Sequence, residues 1–460
     1  MNGDGYADVI VGAYQDDNNG SNSGSARVFS GVDGSILYTF NGDSAGDAFG
    51  ISVSGAGDVN GDGYADVIVG AYQDDNNSSN SGSARVLSGK DGSILYTFNG
   101  DSDYDSLGCF VSGAGDVNGD GYTDVIVGAY QDDNSGTDSG SALVFSGVDG
   151  SVLYTFNGDS DYDYLGYLVS GAGDVNHDGY ADVIVGAYQD DNNGSNSGSA
   201  RVFSGKDGGI LYTFNGDSAY DYFGISVNGA GDVNGDGYAD VIVGAYQDDN
   251  SGTDSGSARV FSGVDGSILY TFNGDSANDY FGTSVSGAGD VNGDGYADVI
   301  VGASQDDNNG SNSGSARIFN GKGAWLDADN DGLNDAIDND DDGDGIADIS
   351  DAFPLDTDND GLENLHDNCP SISNADQLNT DGDAEGDVCD TDDDNDSVDD
   401  TSDAFPLDAT ESVDTDGDGI GNNTDTTPNG DTDSDGIDNL ADTTPNGDTD
   451  GDGVDNATDN

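Results

Sequence analysis

Five aspartates, Asp58, Asp116, Asp174, Asp232 and Asp290, recur every 58 residues, each opening a near-copy of Asp-Val-Asn-Gly-Asp-Gly-Tyr-Ala-Asp-Val-Ile-Val-Gly-Ala. A period this long and regular dictates a repeat architecture. Four strand-like segments fill one period: Phe49–Val59, Tyr64–Tyr72, Ser83–Ser88 and Ser93–Phe98. Val, Ile, Tyr, Phe and Ser dominate them, and Gly, Asn and Asp punctuate them. Val-Ile-Val-Gly is apolar on both faces, as in a strand sandwiched between neighbouring sheets. Ile-Leu-Tyr-Thr-Phe fits a more exposed outer strand. No segment reads as a helix. The expectation is an all-β chain, a β-propeller of about six four-stranded blades, followed by an irregular repeat tail. A β-solenoid is the second choice, but its coils are usually much shorter. The first repeat lacks its Phe-Gly strand and the last lacks its Ile-Leu-Tyr-Thr-Phe strand. A six-bladed ring then has a thin seam, whereas a longer parent protein has a seventh blade.

The loop before each apolar run has its own chemistry. Asp58, Asn60, Asp62 and Asp66 place side-chain oxygens at positions one, three, five and nine, with the Tyr64 carbonyl at position seven. Gly63 at position six permits a tight turn. Such spacing winds a chain around a hard cation, and an all-oxygen set selects calcium over zinc or copper. A plain hairpin turn needs only one or two such residues. The equivalent sets are Asp116, Asn118, Asp120, Tyr122 and Asp124; Asp174, Asn176, Asp178, Tyr180 and Asp182; Asp232, Asn234, Asp236, Tyr238 and Asp240; and Asp290, Asn292, Asp294, Tyr296 and Asp298. The first copy offers only Asn2, Asp4, Tyr6 and Asp8 and is expected to be the weakest propeller site. Its missing leading Asp predicts a start lost upstream, and a signal peptide lost with it. Position twelve is Val69, and likewise Val127, Val185, Val243 and Val301. An EF-hand needs a bidentate Glu there. These loops are therefore neither EF-hands nor dockerin loops, and each runs straight into a strand.

The stretch Phe49–Ala71 resembles the FG-GAP repeat of integrin α-subunit propellers and their bacterial relatives. Phe49-Gly50 corresponds to the FG, and Gly70-Ala71 to the start of the GAP, with Tyr72 where proline is usual. Phe223-Gly224 and Phe281-Gly282 keep the FG, while Leu107-Gly108 and Leu165-Gly166 depart from it. The resemblance covers residues 2 to about 321. It implies a propeller with calcium hairpins on one rim, in an extracellular adhesion or recognition protein. No partner-binding residue carries over.

Charge divides the chain. Of 93 acidic residues, 45 lie in 324–460, leaving 48 upstream beside all eight Lys and Arg, a net −40 against −45. All five prolines lie in the tail. The junction is expected near Gly323, giving a propeller over 1–322 and a repeat domain over 323–460. A net charge of −85 excludes nucleic acid as a partner, because phosphate contacts need Lys and Arg. It also opposes docking on anionic lipid. No run of 18 apolar residues exists to insert in a membrane.

Acidic loops also recur in the tail, now with an acid at position twelve. Their positions one, three, five, seven and twelve are Asp327, Asp329, Asp331, Leu333 and Asp338; Asp340, Asp342, Asp344, Ile346 and Asp351; Asp356, Asp358, Asp360, Leu362 and Asp367; and Asn379, Asp381, Asp383, Glu385 and Asp390. Four more sets follow: Asp392, Asp394, Asp396, Val398 and Asp403; Asp414, Asp416, Asp418, Ile420 and Asp425; Asp431, Asp433, Asp435, Ile437 and Asp442; and Asp448, Asp450, Asp452, Val454 and Asp459. The stretch Asp367–Asp390 resembles a thrombospondin type 3 repeat, a resemblance extending over about 327–460. Ala384 and Ser397 stand where that pattern has Gly, which lowers the expected affinity of their loops. The resemblance implies a cable of calcium ions wrapped by chain with little apolar core. Cys369 and Cys389 match that family's disulfide pair, which implies an oxidising compartment. Across both domains the loops could hold up to about 14 ions.

Other residues complete the reading. Cys109 replaces Ile51 and Ile225 and is expected to be a small buried hydrophobe. His177, in place of a loop glycine, is expected to be neutral, and Trp325 to pack at the junction. The Gln73–Asn80 loop and its equivalents are candidate ligand loops for an extracellular protein or glycan. The two histidines lie in different domains, and no catalytic constellation is available. The expectation is a non-enzymatic, calcium-binding protein, secreted or displayed on a bacterial surface, with a recognition propeller and a calcium-stiffened stalk. Alternatives are a matrix protein without a specific ligand and a non-catalytic region of a larger secreted enzyme.

Overall fold

The Val-Ile-Val-Gly-Ala runs form strands at the heart of six antiparallel sheets. In this computed structural model the described residues are 1–307, 310–321, 353, 356–362, 367–383, 385–431, 434 and 437–441. The chain divides into two compact units, Met1–Ala324 and Trp325–Asn460.

The first sheet contains β1 (Val9–Ala13), β2 (Ser25–Phe29) and β3 (Ile36–Asn41). The second contains β4 (Val53–Gly57), β5 (Asp66–Ala71), β6 (Ser83–Leu87) and β7 (Ile94–Asn99). The third contains β8 (Val111–Gly115), β9 (Asp124–Ala129), β10 (Ser141–Phe145) and β11 (Val152–Asn157). The fourth contains β12 (Leu168–Gly173), β13 (Asp182–Ala187), β14 (Ser199–Phe203) and β15 (Ile210–Asn215). The fifth contains β16 (Ser226–Gly231), β17 (Asp240–Ala245), β18 (Ser257–Phe261) and β19 (Ile268–Asn273). The sixth contains β20 (Phe281–Gly289), β21 (Asp298–Ala303) and β22 (Ser315–Phe319). Each sheet is a meander of sequence neighbours, and the strands β4, β8, β12, β16 and β20 meet in succession. This is the propeller arrangement, with four complete blades between two three-stranded ones.

The largest shift of an expected boundary is at the first strand of the repeat. The strand anticipated over Phe49–Val59 begins only at Val53. Gly50 adopts φ +87°, which turns the chain, and Phe49 instead makes a parallel bridge to Gly24 of the preceding sheet. The Ile-Leu-Tyr-Thr-Phe strands are outermost, as expected, and they latch one blade to the next. Tyr96 donates its hydroxyl to the Gly147 carbonyl at 2.9 Å, and Phe98 stacks on Phe145 with centroids 3.9 Å apart. The same pair of contacts recurs from Tyr154 to Gly205 and from Phe156 to Phe203.

Every residue of β5, β9, β13 and β17 is buried, as a strand between two sheets requires. Their glycines are set by backbone contact. A Cβ on Gly70, Gly128 or Gly186 would lie 2.0–2.1 Å from the carbonyl oxygen of Gly108, Gly166 or Gly224 in the next sheet. Gly302 in β21 faces no such carbonyl, and its nearest atom would be Ser284 Cβ at 3.7 Å. Gly128→Ala is therefore expected to destabilise the propeller by about 1–3 kcal/mol through overpacking, and Gly302→Ala to be within about 0.5 kcal/mol of neutral. Denaturant titration in calcium buffer checks this; equal losses at both positions would overturn the packing account. The first sheet is likewise uncovered on one flank, where Val9 is 57% and Val11 49% exposed, and Ile318 of the last sheet is 55% exposed.

The second unit has a different physics. Among its described residues there is no helix and no strand, and the one buried apolar residue is Cys369. Apolar burial cannot supply its folding free energy. Cys369 and Cys389 form the disulfide. Cys109 is buried in the propeller, and burial pushes its thiol up to about 12, so it is no nucleophile.

Candidate metal centres

In the propeller hairpins, short-range hydrogen bonds curl the acidic side chains inward. Asp58 accepts from the Asp62 amide at 3.0 Å and the Gly63 amide at 2.8 Å, Asn60 from Asp62 at 3.0 Å, and Asp62 from Tyr64 at 3.0 Å. The loops opened by Asp116, Asp174, Asp232 and Asp290 repeat this pattern. Position nine does additional work. Asp66 is buried, and it accepts from the Val59 amide at 3.1 Å and the Gly89 amide at 2.8 Å. It thereby ties its loop to the turn between β6 and β7. Asp124, Asp182, Asp240 and Asp298 do the same. Burial, opposed by these amides, pushes Asp66, Asp124, Asp182 and Asp240 up to about 6. A cation would reverse that shift. In the first loop Asp8 accepts from the Gly31 amide and lies 3.1 Å from the Met1 ammonium, while Asn2 and Asp4 accept from Asp4 and Tyr6 amides.

Adjacent hairpins are chained by their tyrosines. A Cβ on Gly61 or Gly119 would lie 2.5–2.6 Å from the ring of Tyr122 or Tyr180 in the next loop. At the position of His177 the imidazole itself lies 5.2 Å from the Tyr238 ring, with the backbone at φ 56°.

The tail loops have a stronger demand for cations. Eight buried carboxylate oxygens without a hydrogen-bond partner are found among the described residues, and all eight lie in the tail: on Asp358, Asp367, Asp392, Asp393, Asp394, Asp403, Glu411 and Asp425. Six of these residues are expected ligands. Asp356, Asp358 and Asp360 bring carboxylate oxygens within 4.8 Å of one another, as do Asp381, Asp383 and Asp390. Burial raises Asp358 above its ordinary value, helped by the charges of Asp360, Asp367 and Asp356. Asp394 is raised in the same way, with Asp396, Asp403 and Asp392 around it. Position twelve thus converges on positions one, three and five. Ser397 reaches φ 77°, and its amide still donates to Asp392 at 2.9 Å, so a non-glycine residue is accommodated there. In the loop from Asp414, the amides of Gly417 and Gly419 donate to it. The donor set, all oxygen and partly orphaned, fits a hard cation.

Asp393 and Glu411 fall outside the one-three-five pattern and were invisible to it. Asp393 is pushed up to about 6 by burial and by the charges of Asp400, Asp387 and Asp390. Glu411 is 4% exposed, with one oxygen on the Asn423 amide and the other orphaned. Several expected ligands lie outside the described residues: Asp327, Asp329, Asp331, Leu333, Asp338, Asp340, Asp342, Asp344, Ile346, Asp351, Asp433, Asp435, Asp442, Asp448, Asp450, Asp452, Val454 and Asp459. Trp325 and Ala384 lie outside them too.

A second set of carboxylates converges in the propeller. Asp43, Asp47 and Asp74 meet, as do Asp159, Asp163 and Asp190, and Asp217, Asp221 and Asp248. Each set is answered by an arginine. Arg85 lies 2.7 Å from Asp43 and 3.6 Å from Asp74; Arg201 lies 2.9 Å from Asp159 and 3.2 Å from Asp190. Arg259 pairs with Asp217 and Asp248. These are ion clamps that hold each incoming loop to its blade. Asp74 begins the acidic part of a candidate ligand loop, but it is buried and accepts from Ser83 Oγ at 2.6 Å, so it positions that loop and is not available at its surface.

The antiparallel order puts the acidic hairpins at one end of the strands and the Gln73–Asn80 type loops at the other. At that second end Phe110, Tyr130, Tyr164, Tyr167, Tyr188, Tyr222, Tyr246 and Tyr280 form a connected set of rings, with successive centroids 4.5–6.1 Å apart. Phe110, Tyr167 and Tyr246 line a cavity of about 700 Å³ that continues between Val53, Val169 and Val285 of the inner strands. The sequence signal for this collar was Tyr72 and its equivalents standing where proline is usual.

Fold and loops together define a β-propeller joined in one chain to a unit of acidic loops, and both parts match known repeat families. The FG-GAP repeat matches residues 1–29, 49–87, 111–145, 165–203, 223–261 and 281–319, and the thrombospondin type 3 repeat matches 354–377 and 379–412. The chain is 31% identical over 185 residues to integrin alpha-5 of Xenopus laevis, covering 36% of this chain and 17% of that one. It is 34% identical over 142 residues to integrin alpha-11 of Homo sapiens, covering 28% and 12%. The matched region spans less than a fifth of the length of these two integrin subunits. Among solved structures, BBS1N in complex with ARL6DN aligns with 70% of this chain and 77% of that one, at 10% identity and a TM-score of 0.43. The Dos1 propeller covers 65% and 61%, at 10% identity and a TM-score of 0.39.

Proposed function

We propose that this protein is a non-enzymatic extracellular recognition module whose propeller and tail bind calcium. Its tail, residues 323–460, is a calcium-ordered stalk, and its propeller, residues 1–322, carries the ligand-binding surface. The observation that carries the calcium reading is the set of eight orphaned buried carboxylate oxygens in the acidic tail. The ligands are the loop residues named above, joined by Asp393 and Glu411, and the total is about 14 ions across complete and incomplete loops. The disulfide and the likeness to integrin subunits support an extracellular location. Among the described residues no helix is long and apolar enough to cross a membrane.

Recognition belongs at the tyrosine collar. Its tyrosines are half-buried, and a tyrosine ring with an apolar body and a polar tip suits a protein or glycan surface. Native mass spectrometry with calorimetry will count the ions, and a count near zero or two would sink the calcium reading. A glycan and protein array tests recognition: a ligand retained by the calcium-loaded protein and lost in Tyr188→Ala supports it. An array blank under all conditions favours the second reading, a matrix protein without a specific ligand.

A further inference from the structure

One of the ion clamps has lost its cation. β6, β14, β18 and β22 carry Arg85, Arg201, Arg259 and Arg317, and each guanidinium pairs with two aspartates of its clamp. The equivalent residue of β10 is Leu143. Its three aspartates remain. Asp105 is 4% exposed and Asp132 7%, while Asp101 faces solvent. Among the described residues no Lys or Arg forms an ion pair with any of them. Asp132 is oriented as in the intact clamps: Ser141 Oγ donates to it at 2.6 Å, as Ser83 does to Asp74 and Ser199 to Asp190 at 2.7 Å. Where the arginine side chain would lie there is a cavity of about 260 Å³, lined by Asp101, Asp105, Asp132, Leu107, Leu143 and Phe145.

The geometry points to a guanidinium-binding pocket at Asp101, Asp105 and Asp132, filled by a ligand's guanidinium in place of the arginine that the sister blades supply themselves. The planar fork of a guanidinium matches paired carboxylates better than an ammonium does. The apolar floor of Leu107, Leu143 and Phe145 suits the methylene stem behind it. Burial pushes Asp105 up to about 6 and raises Asp132, and a bound cation would relieve both. Intact clamps give the precedent for orientation: Arg201 approaches Asp159 at 2.9 Å and Asp190 at 3.2 Å.

The test uses the full calcium-saturated chain with two probes, agmatine for a free small molecule and N-acetyl-arginine methylamide for an arginine side chain. Saturation-transfer NMR and calorimetry should show both binding to the wild type, with butylamine weaker. Leu143→Arg refills the pocket and should weaken binding by about tenfold or more, whereas Leu143→Met should retain it. Arg201→Leu opens a second such pocket, so agmatine should raise its melting temperature more than that of the wild type. A probe preference for agmatine over the blocked arginine assigns the pocket to small ligands, and the reverse assigns it to a peptide. Absence of binding to the wild type, binding unchanged in Leu143→Arg, or equal binding of butylamine overturns the proposal. None of these variants touches a calcium loop, so failure here is distinguishable from failure of the calcium reading.

Discussion

Chelation of calcium with EDTA is expected to unfold residues 323–460 while the propeller stays folded. The tail cannot hold itself together by burial, because none of its described large apolar side chains is buried and Leu378, Leu407 and Leu440 are exposed. Its carboxylates are crowded, and each like-charged pair at 4 Å repels by roughly 1–4 kcal/mol, depending on the effective dielectric. Calcium turns each such term favourable, so ion binding and folding become one equilibrium. The disulfide between Cys369 and Cys389 will keep one loop closed but replaces none of these charges. Limited proteolysis and small-angle scattering with and without EDTA will read the result. The expected outcome is rapid cleavage of the tail, a larger radius of gyration, and a propeller core that survives. Identical digestion and scattering in both conditions would refute calcium-dependent folding. The propeller differs because its sheets bury an apolar core, with Ile68, Ile126, Ile184 and Ile242 fully enclosed.

The second large effect is expected from Arg201→Leu. Arg201 is the cation of a buried clamp with Asp159, Asp163 and Asp190 around it. Removing one partner of a buried ion cluster leaves uncompensated charge and costs about 3–5 kcal/mol. The loss should depend on pH. Burial, then the hydrogen bond with Asp159 and the charge of Asp190, pushes Asp163 up to about 7 from its ordinary 3.8. The folded state therefore holds a proton through that window which the unfolded chain has released. Its contribution is complete below about 4 and disappears as pH rises through about 7. Asp221 behaves in the same way in the next clamp. Arg201→Leu should consequently cost more stability at pH 8 than at pH 5, measured by denaturant titration at fixed calcium. A pH-independent loss would show that the arginine acts by packing alone. The chain contains a natural counterpart at Leu143, where the same substitution is accommodated beside a cavity.

How much of this was legible in advance follows from the range of the interactions. The inward-curled acidic loops were readable because each draws its oxygens from nine or twelve consecutive residues, and the local Asp58 to Gly63 hydrogen bonds span five. The strands were readable because alternation and turn residues are local too. The clamps were not: Arg85 meets Asp43 across 42 residues, and no local pattern announces the pair. Nor could the sequence show that Asp66 also anchors the Gly89 turn 23 residues away, or that Glu411 lies buried and half-satisfied against Asn423.

By itself the sequence determined a β-propeller built on a 58-residue period and a second domain that is strongly acidic and poor in apolar residues. Only the tertiary structure decided which carboxylates are compensated by arginine and which are not. It also decided that the glycines of the buried strands sit against the next blade's carbonyls, and that the blade holding Leu143 has an anionic pocket. The reason is physical. Periodicity specifies elements and loops through neighbours along the chain, whereas charge compensation and backbone clearance are settled between residues that meet only when successive blades pack.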